Sequence, residues 1–129
     1  SVTLSDCQSV FVSGDKMRLR QLLLNLADNA VKYNERGGSI AMSLVRQNDD
    51  AVFTITNTGM ALPAELRARV FERFFRGDLA HNSAIEGSGL GLSIAKSIVE
   101  AHQGGIGYDV LPDGRTQVVV TLTATPSPR

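Results

Sequence analysis

Hydrophobic residues alternate with polar ones at two periods along this chain, and the switches between periods divide it into elements. Residues 10–12 form a short apolar run that reads as a strand. Ser13, Gly14 and Asp15 then make a turn, with Asp15 placed as the N-cap of a long helix to about Tyr33. Gly37 and Gly38 end that section. Residues 39–45 and 51–56 are strand-like and are joined by Asn48, Asp49 and Asp50, which predicts an antiparallel hairpin. Pro63 can open a short helix through about Val70, and residues 76–86 are a polar loop long enough to be a lid. A second helix follows, with Leu90, Ile94, Ala95, Ile98 and Val99 on one face and Lys96, Ser97, Glu100 and Gln103 elsewhere, stopped by Gly104 with Gly105. Residues 107–110 and 116–123 predict a second hairpin around Pro112, Asp113 and Gly114. Strands in hairpins with helices between them imply an α+β fold: a two-layer α/β sandwich, its mixed, mostly antiparallel sheet carrying the helices on one face. Residues 1–124 read as one domain and residues 125–129 as a disordered tail.

The first long helix carries an inverted pattern. At about 100° per residue, Asn25, Asp28, Asn29 and Lys32 share a narrow arc, whereas Leu19, Leu23, Leu24, Leu26, Ala27, Ala30 and Val31 occupy most of the remainder. A helix apolar on most sides is expected to be buried on most sides, so the stripe should face a cavity. An amide oxygen at Asn29 can ligate a hard cation and Lys32 can neutralise phosphate oxygens, which suits Mg²⁺ with a nucleotide. The competing reading is a solvated stripe beside an unusually wide apolar face.

The second helix is preceded by Gly87, Gly89 and Gly91 at alternate positions. Backbone without Cβ atoms approaches a ligand closely, and free N–H groups at a helix start hold anions. A dinucleotide fold is excluded because no strand period precedes Gly87, and a P-loop because Gly91 is followed by Leu92 and Ser93. A flexible hinge is the plain alternative. Asn57, at the end of the second hairpin strand, has the acceptor and donor that match the amino group and neighbouring ring nitrogen of adenine; read alone, Asn57, Thr58 and Gly59 are equally a turn.

Composition narrows the classes. The 129 residues are 43% hydrophobic, enough for one core. Lys plus Arg and Asp plus Glu balance at 13 each without clustering, which gives no footprint for nucleic acid. The single Cys7 excludes an internal disulfide, and no apolar run approaches the roughly 18 residues of a membrane span.

In this order the motifs resemble the catalytic and ATP-binding domain of sensor histidine kinases, within the Bergerat-fold ATPases. Residues 25–33 resemble the N box, residues 57–63 the first glycine box, residues 71–78 the F box and residues 86–92 the second glycine box. The resemblance implies ATP and Mg²⁺ as cofactors. By position it makes Asn29 the Mg²⁺ ligand, sets Asn25 beside the phosphates, and gives Lys32 and Tyr33 contacts to phosphate and ribose. Asn57 stands where the family has an Asp that accepts from the adenine amino group. Gly59 would lie against the base, Arg76 would reach the phosphates, and Gly87, Gly89, Leu90 and Gly91 would form the lid over them. Phe71, Phe74 and Phe75 either pin that lid or belong to the core.

Two departures stand out: Asn57 replaces the carboxylate, and Ala61 replaces the second glycine of the first box. The Asn form resembles the box of metal-responsive sensor kinases, such as those for copper or silver. The implied reaction passes the γ-phosphate of ATP to a histidine. His81 and His102 are the chain's histidines and neither sits in the family's acceptor motif, so the expected acceptor lies on a separate dimerisation domain, with a response regulator downstream. The implied setting is cytoplasmic, as part of an inner-membrane sensor. Two other functions compete: a self-sufficient ATPase in which Asp28 activates water, and a scaffold whose changes at Asn57 and Ala61 abolish nucleotide binding.

Overall fold

The computed structural model describes residues 2–7, 11–33, 37–58, 69–72 and 91–125. Their order is β1 (Val2–Cys7), β2 (Phe11–Val12), α1 (Lys16–Tyr33), β3 (Ile40–Gln47), β4 (Asp50–Asn57), α2 (Gly91–Ala101), β5 (Gly105–Val110) and β6 (Thr116–Thr125). The strands form one mixed sheet in the order β1-β3-β4-β6-β2, and β5 also pairs with β6. Among the described strands only β1 with β3 is parallel; the pairs β3/β4, β4/β6, β5/β6 and β2/β6 are antiparallel. The predicted sandwich is therefore present, with one more strand than the pattern suggests: β1 is an edge strand whose residues Thr3, Ser5 and Asp6 give little apolar signal. At the other end β6 extends through Thr125, which pairs with Phe11 and so belongs to the sheet rather than to a tail.

One face of the sheet meets both helices. Leu22, Leu26 and Ala30 of α1 and Leu92, Ala95, Ile98 and Val99 of α2 pack with Ile40, Ile55, Val118 and Val120 in one buried cluster. Hydroxyl and amide groups mark the opposite face: Ser43 and Thr54 are hydrogen-bonded across β3 and β4, and Gln117 Nε2 donates to Thr56 at 3.4 Å. This is the usual division of a mostly antiparallel sheet that carries its helices on one face.

The expectation that α1 is buried on most sides is not met. Leu23, Leu24 and Val31 are 46%, 60% and 63% exposed, and the helix buries a single stripe. Its start is as predicted: Asp15 Oδ1 accepts the N–H groups of Met17 at 2.9 Å and Arg18 at 3.2 Å, satisfying two of the donors a helix start leaves free.

The end of α2 differs from the sequence expectation in an instructive way. Gln103, not a glycine, takes the left-handed conformation (φ 61°). Gln103 N–H then bonds Glu100 O at 2.9 Å and Gly104 N–H bonds Val99 O at 2.9 Å, which is a Schellman ending. Gly104 is required for another reason: a Cβ there would overlap the Thr121 carbonyl oxygen and lie 2.6 Å from Leu122 Cδ2. Because a non-glycine residue in this conformation is strained by about 1 kcal/mol, Gln103→Gly is expected to stabilise the domain by up to about 1 kcal/mol, less the extra backbone entropy of the unfolded chain. Urea unfolding checks it, and a destabilised variant would contradict the assignment.

Candidate functional site

Antiparallel packing of the two helices builds the site. His102, just beyond α2, accepts the Asp15 N–H on Nε2 at 3.0 Å, while its Nδ1–H donates to Ile98 O at 2.8 Å. With a backbone N–H on Nε2 and a carbonyl oxygen on Nδ1, the bonding pattern is that of the Nδ1–H tautomer. Gly14 leaves the space it fills. With α1 and α2 packed together and the end of one bonded to the start of the other, they run in opposite directions. Counting back from His102 to Gly91, and forward from Asp15 by the same number of residues at the common rise of about 1.5 Å, brings the start of α2 level with Leu26. Gly91 is therefore within about one helical turn, along the axis, of both Asn25 and Asn29.

The strands supply the floor at the same end. α1 ends at Tyr33 and β3 begins at Ile40, which pairs with Asn57. Ser39 N–H donates to Thr58 Oγ1 at 2.8 Å, and Thr58 N–H to Ser39 O at 3.1 Å, closing that sheet end. Along β4 the side chains of Phe53, Ile55 and Asn57 alternate onto the helix-facing side, and along β6 so do Val120, Val118 and Thr116. Each apolar row thus ends in a polar residue. Asn57 and Thr116 are register partners, and Thr116 Oγ1 donates to Asn57 Oδ1 at 2.9 Å. The turn leading into Thr116 is braced: Arg115 N–H donates to Asp113 Oδ1 at 3.1 Å and Arg115 Nε to Oδ2 at 2.7 Å. The Arg115 backbone N–H, then its side chain, holds the Asp113 carboxyl below its ordinary range.

Thr116 was not found by sequence reasoning. Nothing local distinguishes it from the other threonines of β6; only the register sets its hydroxyl on Asn57, 59 positions away.

The predicted residues divide accordingly. Asn25 and Asn29 are half-buried on the flank of α1 beside the core stripe, and Asp28 is exposed. The Asn25 side-chain amide nitrogen is buried and has no hydrogen-bond partner among the described residues. Such an orphan donor is rare and asks for an acceptor. Lys32 and Tyr33 occupy the last turn of α1. Gly91 opens α2, whereas Gly59, Arg76, Gly87, Gly89 and Leu90 lie outside the described residues, as do residues 63–68 of the helix expected from Pro63, residues 76–86 expected as a loop, Phe74, Phe75 and His81. Phe71 packs against the core cluster, the second of its two readings.

An orphaned amide donor, a second half-buried amide on the next turn, an amide at the strand end and a helix start at the same level form a donor set suited to a polyanionic nucleotide. Among the described residues no group of three His, Cys, Asp or Glu side chains could hold a metal. A Mg²⁺ here would be held by an amide oxygen together with oxygens of the nucleotide and water, which is the usual way this ion binds with phosphates.

Residues 14–126 match the family described as histidine kinase-, DNA gyrase B-, and HSP90-like ATPase. The chain is 41% identical over 117 residues to the adaptive-response sensory kinase SasA of Nostoc sp., covering 90% of this chain and 29% of that protein. It is 35% identical over 125 residues to the heme sensor protein HssS of Staphylococcus saprophyticus, covering 97% and 26%. It thus spans under a third of the length of these relatives. Among solved structures it superposes on a mycobacterial sensor histidine kinase, MprB, with a TM-score of 0.81 at 34% identity, covering 98% of this chain and 83% of that one. Full-length ShkA, solved in complex with AMPPNP, gives a TM-score of 0.81 at 26% identity, covering 99% and 26%.

Proposed function

Because the chain belongs to the histidine kinase-, DNA gyrase B- and HSP90-like ATPases and matches the ATP-binding catalytic domain of sensor histidine kinases, we propose that it binds Mg-ATP at the polar end of the sandwich and presents the γ-phosphate to a histidine on a separate dimerisation domain. The observation that carries this reading is the buried amide nitrogen of Asn25, unpartnered among the described residues, one turn from Asn29 and close to the level of the start of α2.

In this reading Asn29 supplies an amide oxygen to Mg²⁺, and Asn25 donates its orphan N–H to a phosphate oxygen. Lys32 and Arg76 offset phosphate charge, and Tyr33 contacts the ribose. Asn57, pinned by Thr116, meets the base, with Gly59 against it. Gly87, Gly89, Leu90 and Gly91 close over the phosphates, whose charge the start of α2 also favours. Mg²⁺ bound with ATP supplies further charge neutralisation for phosphoryl transfer, a reaction in which positioning and electrostatics do most of the catalysis.

His102 is unsuited to be the acceptor. Both ring nitrogens are engaged, and it sits at the opposite end of α2 from the proposed site. A histidine elsewhere in a longer kinase, a response regulator downstream and a cytoplasmic setting follow from the same reading. Among the described residues no helix is long and apolar enough to cross a membrane.

Calorimetric titration with a non-hydrolysable ATP analogue tests it. Binding that strengthens with Mg²⁺ is expected; Asn29→Ala should weaken it about tenfold or more, the scale of one lost polar contact to a charged group, and Asn29→Asp should change its metal dependence. No binding at millimolar nucleotide would favour the scaffold reading, and rapid steady ATP hydrolysis by the isolated domain the self-sufficient ATPase.

A further inference from the structure

Resting on the nucleotide site proposed above, we infer that Asn57 and Thr116 form an amphoteric reader of purine position 6, so that the domain accepts 6-oxo purine nucleotides (inosine and guanosine triphosphates) as well as ATP. The two side chains are register partners on the helix-facing side of the sheet, and Thr116 Oγ1 lies 2.9 Å from Asn57 Oδ1. Thr116 is buried and Asn57 half-buried, so the pair is held in place.

In the orientation observed, Thr116 occupies Asn57 Oδ1, and the amide nitrogen makes no hydrogen bond among the described residues. The group left for a base is then a donor. Adenine presents an amino donor at position 6 and an unprotonated N1; hypoxanthine and guanine present an oxygen at position 6 and a protonated N1. Asn57 Nδ2 can donate to that oxygen while the second lone pair of Oδ1 accepts from N1–H.

The opposite amide orientation serves adenine, and Thr116 permits it without loss. A hydroxyl is both donor and acceptor, so it can accept from Nδ2 as readily as it donates to Oδ1. Either flip leaves the buried pair satisfied. An ionised carboxylate at position 57 has no such freedom: it only accepts, so it bonds the position-6 amino group of adenine but meets the position-6 oxygen of a 6-oxo purine as acceptor against acceptor, leaving it the N1–H alone. Position 6 thus discriminates through a carboxylate, whereas Asn57 with Thr116 can meet either group there.

The test is competition binding against a fluorescent ATP analogue by non-hydrolysable ATP, ITP and GTP analogues, each with Mg²⁺. Inosine isolates position 6, because it lacks the 2-amino group of guanine. The parent protein is expected to bind the ATP and ITP analogues within about tenfold of each other, and Asn57→Asp to widen that ratio in favour of adenine by about tenfold or more. A parent that prefers ATP over ITP by more than about a hundredfold overturns the inference while leaving the ATP site intact. So does a folded Asn57→Asp variant with an unchanged ratio. Failure of every nucleotide to bind overturns the proposed function itself. Because the parent ratio needs no variant, the inference stays testable if Asn57→Asp fails to fold.

Discussion

Gly104→Ala is expected to destabilise the domain by about 3 kcal/mol or more, at or beyond the upper end of ordinary overpacking. The methyl group would overlap the Thr121 carbonyl oxygen and approach Leu122 Cδ2 at 2.6 Å and Val99 Cγ1 at 3.2 Å. Neither the backbone oxygen nor the helix can easily yield. Thr121 is tied into the sheet as the partner of Gly105, and Val99 O holds the Gly104 N–H that closes α2. Relief requires α2 to lift from β6, which separates Ala95, Ile98 and Val99 from Val118 and Val120. Against a total stability of about 5–15 kcal/mol for a natural domain, much of the folded population could be lost at physiological temperature. Urea unfolding of both proteins measures the difference; a loss under about 0.5 kcal/mol would mean that the helix end and β6 are not in contact as described.

Leu26→Ala should cost about 3 kcal/mol, within the 2–5 kcal/mol typical of a leucine truncated in a core. Leu26 is 1% exposed and lies in the cluster that joins both helices to the sheet. Leu24, two positions earlier, is 60% exposed, and its truncation should change stability by no more than about 0.5 kcal/mol. The pair forms a direct check on the buried face of α1, since both residues look alike in the sequence. Equal losses would show that the helix is covered on both sides, as its composition suggests. In the proposed site, Leu26→Ala should also weaken nucleotide binding indirectly, because Asn25 and Asn29 flank the turn that Leu26 anchors.

The elements themselves were largely legible from local pattern. Both helices, both hairpins and the Asp15 cap follow from periodicity and turn chemistry, because those preferences act over a few residues. The motif order also pointed to the correct family. Three features were not legible, each for a physical reason. β1 has too few apolar residues to announce itself and is a strand because β3 offers it an edge. The left-handed residue at the end of α2 is Gln103, although two glycines follow, because the close approach of β6 reserves Gly104 for a different task. Apolar residues around α1 implied burial on most sides, yet two layers can cover only one stripe of a helix, so Leu23, Leu24 and Val31 face outward.

Sequence alone determined the period of each segment, the Asp15 cap and the turns, and the amide-rich and glycine-rich stretches that a nucleotide site would use. These are encoded by neighbours within a turn or two, and their meaning does not depend on what lies across the molecule. Tertiary structure decided which stretches meet. Antiparallel packing of α1 and α2 sets Gly91 level with Leu26, and strand register sets Thr116 on Asn57 from 59 positions away. Contacts at such separations are selected by burial of one shared core and by the completion of the sheet's hydrogen bonds, and both are properties of the assembled fold.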